Sequence, residues 1–404
     1  MIVTIDRLGH LGHGIAPGPV YVPGTLPGEV VEGTLDGDRL LDPKIVTPST
    51  DRVKPPCRHA RSCGGCQLQH ASDVFVAGWK QQVVETALAG QGLTAVFLPL
   101  VTSPPNSRRR ATLSARRTKS GVLIGFHGRA SETIAEIPDC QLLHPGVLAA
   151  FPGLQALVMA GGSRTMELSL QVTLTRGGPD VVVSGGKPLD SALRMDLARL
   201  VETNAFSRLT WDGETVALRD RPALTMGPAT VVPPAGAFLQ ATSEGEAALL
   251  AAVRKALGPQ KRVVDLFSGV GTFTLPLAAE MEVHAVEGDA AMTKALDLAA
   301  RNTPNLHRIS TETRDLFRRP LEPDELLTFS AAVIDPPRAG AEAQIATLAA
   351  SNIPVIAAVS CNPVTFARDA KALIANGFRL DWVQVVDQFR WSTHIELVAR
   401  LSRL

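Results

Sequence analysis

VVDLFSGVGTFTLPLA, residues 263–278, reads as an apolar strand, a glycine turn and the first turn of a helix. Gly269 and Gly271 let the backbone reverse sharply and approach a ligand closely. A dinucleotide fingerprint would continue with a third glycine, but Thr274 stands there, which weakens a pyrophosphate cradle. Asp265, before the turn, suits a nucleoside with a cationic amino-acid tail. Glu287 ends the next apolar run, VHAVE, where a carboxylate can accept both ribose hydroxyls. Asp315 lies after the following segment, within reach of an adenine. Together these residues favour S-adenosylmethionine over a nicotinamide cofactor.

Around this turn, residues 236–404 alternate strand and helix. The pattern predicts strands over Arg262–Phe267, Glu282–Glu287, Ala331–Asp335 and Pro354–Ser360, and helices over Ala290–Asn302 and Thr365–Asn376. LDWVQVVDQF and HIELVARL close the chain as a hairpin-like pair. Residues 1–53 have Gly and Pro between short β-branched runs, the texture of a small β-barrel that could bind nucleic acid. Residues 54–235 are mixed, with a helix expected over Trp79–Leu93 that can pack on the C-terminal domain. The expected fold class is therefore multidomain α/β: a Rossmann-like domain, a small N-terminal β-barrel and a mixed α+β central domain.

The 404-residue chain has 45% hydrophobic residues and a net charge of +1, so any nucleic-acid contact must come from a local patch. No stretch reaches the ~18 uninterrupted apolar residues of a membrane span. MIVTIDRLGH lacks the basic and apolar regions of a secretory leader. A cytoplasmic protein without membrane contact is expected, one whose thiols stay reduced. Cys57, Cys63 and Cys66 cluster in CRHARSCGGCQLQH and so point to metal binding or catalysis.

Two motifs follow apolar strands, where open α/β sheets place their ligand crevice. In IDPPRAG, Asp335 should face that crevice, and Arg338 stands where an amino-methyltransferase would carry a base-stacking aromatic. In AVSCNPVTF, Cys361 lies between Ser360 and Asn362, a poor place for a core residue and a good one for a nucleophile. A thiol has a use in methylating carbon 5 of uracil. Its addition to carbon 6 creates an enolate whose carbon 5 can take a methyl group. A base must then remove the carbon-5 proton before the thiolate leaves. Glu396 in STHIELVA is the candidate base, on a strand where it sits either in the site or on a solvated face.

These motifs resemble those of the RNA uracil-C5 methyltransferase family, in the branch with an N-terminal TRAM barrel, an OB-like fold, and a [4Fe–4S] cluster. The resemblance covers nearly the whole chain: RLGHLGHGIA with YVPGTLPGE, CRHARSCGGCQLQH, NSRRRATLS, LIGFHGRAS, FLQAT, DLFSGVGTF, VEGD, DPPRAG, SCNP and HIE, in order. It implies that Cys140, in IPDCQLLHP, joins Cys57, Cys63 and Cys66 as the fourth cluster ligand. Four cysteines alone would suit zinc as well. It also implies Cys361 as nucleophile, Glu396 as base, and Gln240, Phe267, Thr272, Glu287, Asp315 and Asp335 around the methyl donor and uracil. FLQAT departs from the family in having Thr242 for a usual Asn, which puts one polar contact in doubt, and DPPRAG has Pro337 where many have Ala. Arg108, Arg109, Arg110, Arg116, Arg117 and Lys119, six cations in twelve residues, read as a phosphate-binding patch. The expected partner is RNA, 23S rRNA first and a transfer-RNA T-loop uridine as the alternative, bound by a monomer. The rival from another class is a non-catalytic iron–sulfur RNA-binding protein, which would need no intact cofactor turn.

Overall fold

The computed structural model describes residues 1–403. Its largest sheet has eight strands, in the order Ile309–Thr313, Glu282–Glu287, Arg262–Leu266, Ala331–Ile334, Val355–Ser360, Glu396–Arg403, Phe378–Asp387 and Phe97–Thr102. The first five run parallel. Glu396–Arg403 is antiparallel to both its neighbours. The central strands read as unbroken apolar runs because both faces are covered. Val264, Leu266 and Ile356 pack on one side, and Val263, Ala357 and Val359 on the other. Strand order reverses between Arg262–Leu266 and Ala331–Ile334, which puts the ligand crevice at the carboxyl edge there.

Two expectations about the middle of the chain are corrected. The helix predicted over Trp79–Leu93 spans Asp73–Ala89, because the Ser72 hydroxyl caps it by accepting from the Phe75 N–H. Val74 is exposed in its first turn, which masked the helical period. Phe97–Thr102 then pairs in parallel with Phe378–Asp387 and becomes an edge of the large sheet. Pro99 disguised that strand, and an edge position is where a strand tolerates proline. The hairpin of Leu224–Met226 and Ala229–Val231 likewise packs on Leu275 and Leu296 of the large-sheet domain rather than on the central one.

The N-terminal strands form a six-stranded sheet whose first and last members are Ile2–Thr4 and Arg7–Leu8. These are two parts of one bent segment: Ile5 N–H donates to Glu29 on one side, and Asp6 N–H donates to Ile15 on the other. Residues 2–8 thus close the sheet around Val22, Val31 and Leu40. The central region is a seven-stranded sheet with the helices Phe151–Gly161 and Ser191–Thr203 packed on it. No helix among the described residues is long and apolar enough to cross a membrane.

Candidate active site

Strand register brings the two proposed reacting groups together. Ser360, the last residue of its strand, pairs with Leu397 across the antiparallel ladder, so Cys361, which follows it, and Glu396, the first residue of the facing strand, lie at the same end of that ladder. Glu396 is 5% exposed, so it does not stand on a solvated face. Asp335 leaves the adjacent strand at the same edge, its N–H donating to Leu266.

Burial pushes the Glu396 carboxyl up to about 8, helped by the charge of Asp335 and opposed by Gln388 and Lys80. Asp335 is raised to about 7 by burial and by Asp265. Burial also raises the Cys361 thiol, with Glu396 and Asp335 adding to it and Arg338 opposing. Asn362 accepts from the Val364 N–H as N-cap of the helix Pro363–Ala375, so Cys361 stands just before a helix N-terminus, a field that favours thiolate. Asn362 also donates to the Arg338 carbonyl at 2.9 Å, tying the SCNP and DPPRAG loops together.

The glycine turn is shaped for a ligand. Gly269 and Gly271 have φ of 58° and 97°. A Cβ on Gly271 would sit 2.5 Å from Leu296, whereas one on Gly269 would project into open space. Phe267 also takes a left-handed φ of 63°, an uncommon and strained conformation for a non-glycine. Asp265 Oδ2 accepts from the Thr274 hydroxyl at 2.6 Å, so the residue that breaks the dinucleotide fingerprint orients the acid. Asp265 Oδ1 and Ser268 Oγ are buried with no partner, which fits a polar ligand. Glu287 accepts from the N–H groups of Gly269 and Asp289, and its oxygens retain lone pairs for ribose hydroxyls. Asp315 follows the neighbouring strand, where the Arg314 N–H donates to the Glu287 carbonyl. Thr272 is half-buried in the turn. Gln240 is buried, its Oε1 accepting from Gln388. Thr242, which stands where the family usually has Asn, caps the helix Ser243–Leu257 with its hydroxyl and meets the Ser103 hydroxyl at 2.7 Å.

A cleft of about 1300 Å³ opens from this edge. Cys361, Arg338 and His394 line it together with Trp79, Arg7 and His10, so the N-terminal barrel and the helix Asp73–Ala89 contribute to its wall.

Residues 233–404 match the family model described as tRNA (uracil-5-)-methyltransferase. The chain is 44% identical to an RNA methyltransferase of Brucella suis, covering 99% of this chain and 97% of that one. It is 32% identical to the 23S rRNA (uracil(1939)-C(5))-methyltransferase RlmD of Vibrio cholerae, covering 98% and 94%. The chain belongs to the RNA uracil-C5 methyltransferase family. The enzyme therefore uses S-adenosylmethionine to methylate uracil in RNA. Its fold is similar to that of the Pyrococcus abyssi tRNA (uracil-54, C5)-methyltransferase solved with S-adenosyl-L-homocysteine, with a TM-score of 0.77, 23% identity and 99% of each chain covered.

Elsewhere in the enzyme, Cys57, Cys63, Cys66 and Cys140 are all buried and unpaired. A charge on one resists the ionisation of the others, and burial above all pushes Cys66 up to about 12. N–H groups of Gly65 and Leu142 donate to the sulfurs of Cys63 and Cys140, and Arg108 and Arg129 place positive charge nearby. This donor set fits an anionic thiolate cluster. Among the described residues, however, no three His, Cys, Asp or Glu side chains are arranged as a ready metal site. His59 pairs with Asp139 at 2.7 Å, away from any ligand role.

The basic run does not make one patch. Arg110–Arg117 is a single strand, so its ends lie about 23 Å apart at ~3.3 Å per residue. Arg109 pairs with Glu246 and donates to Ser243. Arg108 lies over Phe389, Arg110 lies over Phe238, and Arg116 pairs with Glu167. Arg117 and Lys119, at the far end, have no such internal partner among the described residues.

Sequence reasoning missed a buried ion pair beneath the site. Lys80, fully buried, donates to Asp387 Oδ1 at 2.6 Å and to the carbonyls of Phe389 and His394. It clamps the 387–394 loop that leads into Glu396. A lone Lys in an otherwise ordinary helix gives no such signal. Lys80→Met leaves Asp387 buried and uncompensated, and should cost about 3–5 kcal/mol. Chemical denaturation checks this, and Lys80→Met with Asp387→Leu should recover part of the loss.

Proposed function

We propose that the enzyme methylates carbon 5 of one uridine in 23S rRNA, with Cys361 as nucleophile and Glu396 as base. The convergence of Cys361 and the buried Glu396 at one end of neighbouring antiparallel strands, with Cys361 lining a cleft of about 1300 Å³, carries this reading. The Cys361 sulfur bonds to carbon 6 as the ring's 5,6 electron pair moves to the enolate. Carbon 5 takes the methyl group that S-adenosylmethionine supplies. Glu396 then accepts the carbon-5 proton, the carbon–sulfur bond breaks, and the thiolate is released. Asp335 borders the uracil and the donor. Gln240, Phe267, Gly269, Gly271, Thr272, Glu287 and Asp315 hold the donor. Full-length similarity to the Vibrio enzyme supports the ribosomal substrate.

In this reading the closed N-terminal barrel is a TRAM domain that grips RNA, with Arg117 and Lys119 adding phosphate contacts. Cys57, Cys63, Cys66 and Cys140 hold a [4Fe–4S] cluster that shapes the RNA-binding region, since methyl transfer moves no net electrons. Enzyme purified without oxygen should contain iron and sulfide, and Cys140→Ser should lose both; a zinc-loaded preparation would refute the cluster.

The raised Glu396 carboxyl has a kinetic consequence. The base form exists only above its pKa, so kcat should rise with pH through about 8. A flat profile between pH 6 and 9 would exclude Glu396 as the group that limits the rate. The substrate is tested by mass spectrometry of 5-methyluridine in separated 23S rRNA and transfer RNA, with and without the gene. Loss from 23S rRNA alone is expected. Loss from transfer RNA alone would transfer the same chemistry to the T-loop.

A further inference from the structure

His394 lies two residues before Glu396 and lines the cleft that Cys361 and Arg338 also line. The residue is held from several sides. Its Nδ1 meets Arg338 Nη2 at 3.1 Å. The Phe389 ring packs on the imidazole with centroids 5.2 Å apart. The His394 carbonyl accepts from Lys80 Nζ at 2.9 Å, and its N–H donates to Ser392 Oγ at 3.2 Å. Arg338 is fixed in turn, because the side-chain amide of Asn362, next to Cys361, donates to its carbonyl. A guanidinium can only donate, so Nδ1 is the acceptor of the pair and the ring proton sits on Nε2. Partial burial and the charges of Arg338, Arg108 and Lys80 hold the imidazole below its usual range, which keeps it neutral in that tautomer. Nε2–H makes no hydrogen bond among the described residues, and it belongs to a side chain exposed in the cleft.

We propose that His394 is a catalytic residue whose Nε2–H donates to O4 of the target uracil. The inference rests on the function proposed above, in which Cys361 adds to carbon 6. As that carbon–sulfur bond forms, the 5,6 electron pair becomes a 4,5 double bond, and the pair of the 4-carbonyl moves onto O4. A donor already in place stabilises that charge as it appears. No proton moves to O4: the carbonyl re-forms as carbon 5 takes the methyl group. Cytosine carries an amine at the same position, and its hydrogens would face the Nε2–H. One group therefore activates uracil and rejects cytosine.

His394→Phe keeps a ring against Phe389 and removes the donor. On an RNA fragment, kcat should fall about 10²-fold, the scale of one lost oxyanion donor, while the KM for RNA stays within about threefold. His394→Gln, which restores an N–H, should recover part of the loss. A target uridine with sulfur at position 4 tests the place of contact, since sulfur accepts a hydrogen bond only weakly. The penalty of His394→Phe should shrink to about threefold or less on 4-thiouridine and stay near 10²-fold on 2-thiouridine. His394→Leu is the second variant, in case the first does not fold. A raised KM with unchanged kcat would put His394 on the RNA backbone, and an undiminished penalty on 4-thiouridine would put it elsewhere on the ring. Either result overturns the contact with O4, as does full activity in a folded variant. All three leave the nucleophile standing if Cys361→Ala is inactive. An active Cys361→Ala removes the nucleophile, and the role of His394 with it.

Discussion

Cys361→Ala should abolish methylation, by about 10⁴-fold or more, the scale of losing a nucleophile that works as part of a unit. Stability and donor binding should be nearly unchanged. Cys361 is only partly buried and fills no core position, so trimming it opens no large cavity. It lies beyond the end of its strand, and the helix that follows is capped by Asn362 and started by Pro363. The glycine turn and Glu287 belong to other strands. Steady-state methylation of an RNA fragment, with donor affinity measured in parallel by calorimetry, checks both halves. Activity within tenfold of the unaltered enzyme would return the DPPRAG loop, and an attack without covalent help, to consideration.

Glu396→Gln is the second large effect, and it differs in kind. The amide is the same size and can still hydrogen-bond, but it cannot take a proton at neutral pH. Addition of Cys361 and methyl transfer to carbon 5 do not need that proton removed; release does. Turnover should fall by about 10²–10⁴-fold, the usual worth of a positioned general base. The enzyme should also stall as a methylated covalent complex with RNA, visible as a slow band on a denaturing gel. A variant that loses turnover without any such band would place the role of Glu396 before methyl transfer. Burial raises that carboxyl to about 8, so its base form, and with it turnover, should grow as the pH rises through that value.

Much of this site was legible in the sequence because its signals are local. The glycine turn, Glu287 and Asp315 sit at the ends of strands whose apolar runs are marked by turn residues. SCNP was legible for the same reason: proline and an Asn cap fix a helix start one residue after the thiol. The role of Glu396 was ambiguous because its burial depends on which residue it faces across a ladder between strands that are not adjacent in sequence. Periodicity gives the alternation of a strand but not its register. Phe97–Thr102 was invisible because Pro99 breaks strand patterning and only the edge of a distant sheet makes room for it. The basic run was misread because charge counting cannot see that Arg109 is consumed by Glu246, a partner on a helix far along the chain. Lys80 was missed for a related reason. Its significance lies in which buried acceptors the fold delivers to it.

A uridine bearing fluorine at carbon 5 gives the sharpest trial of the Cys361 and Glu396 pairing. Fluorine cannot leave as a proton, so the unaltered enzyme should stop after methyl transfer. It should remain bonded to the ring through the attacking sulfur. Digestion and mass spectrometry should then find one modified peptide, AVSCNPVTF, carrying the methylated fluoronucleotide on Cys361. An adduct on any other residue, or none from an enzyme that methylates ordinary RNA at full rate, would show that this chain reaches carbon 5 of uracil by another route.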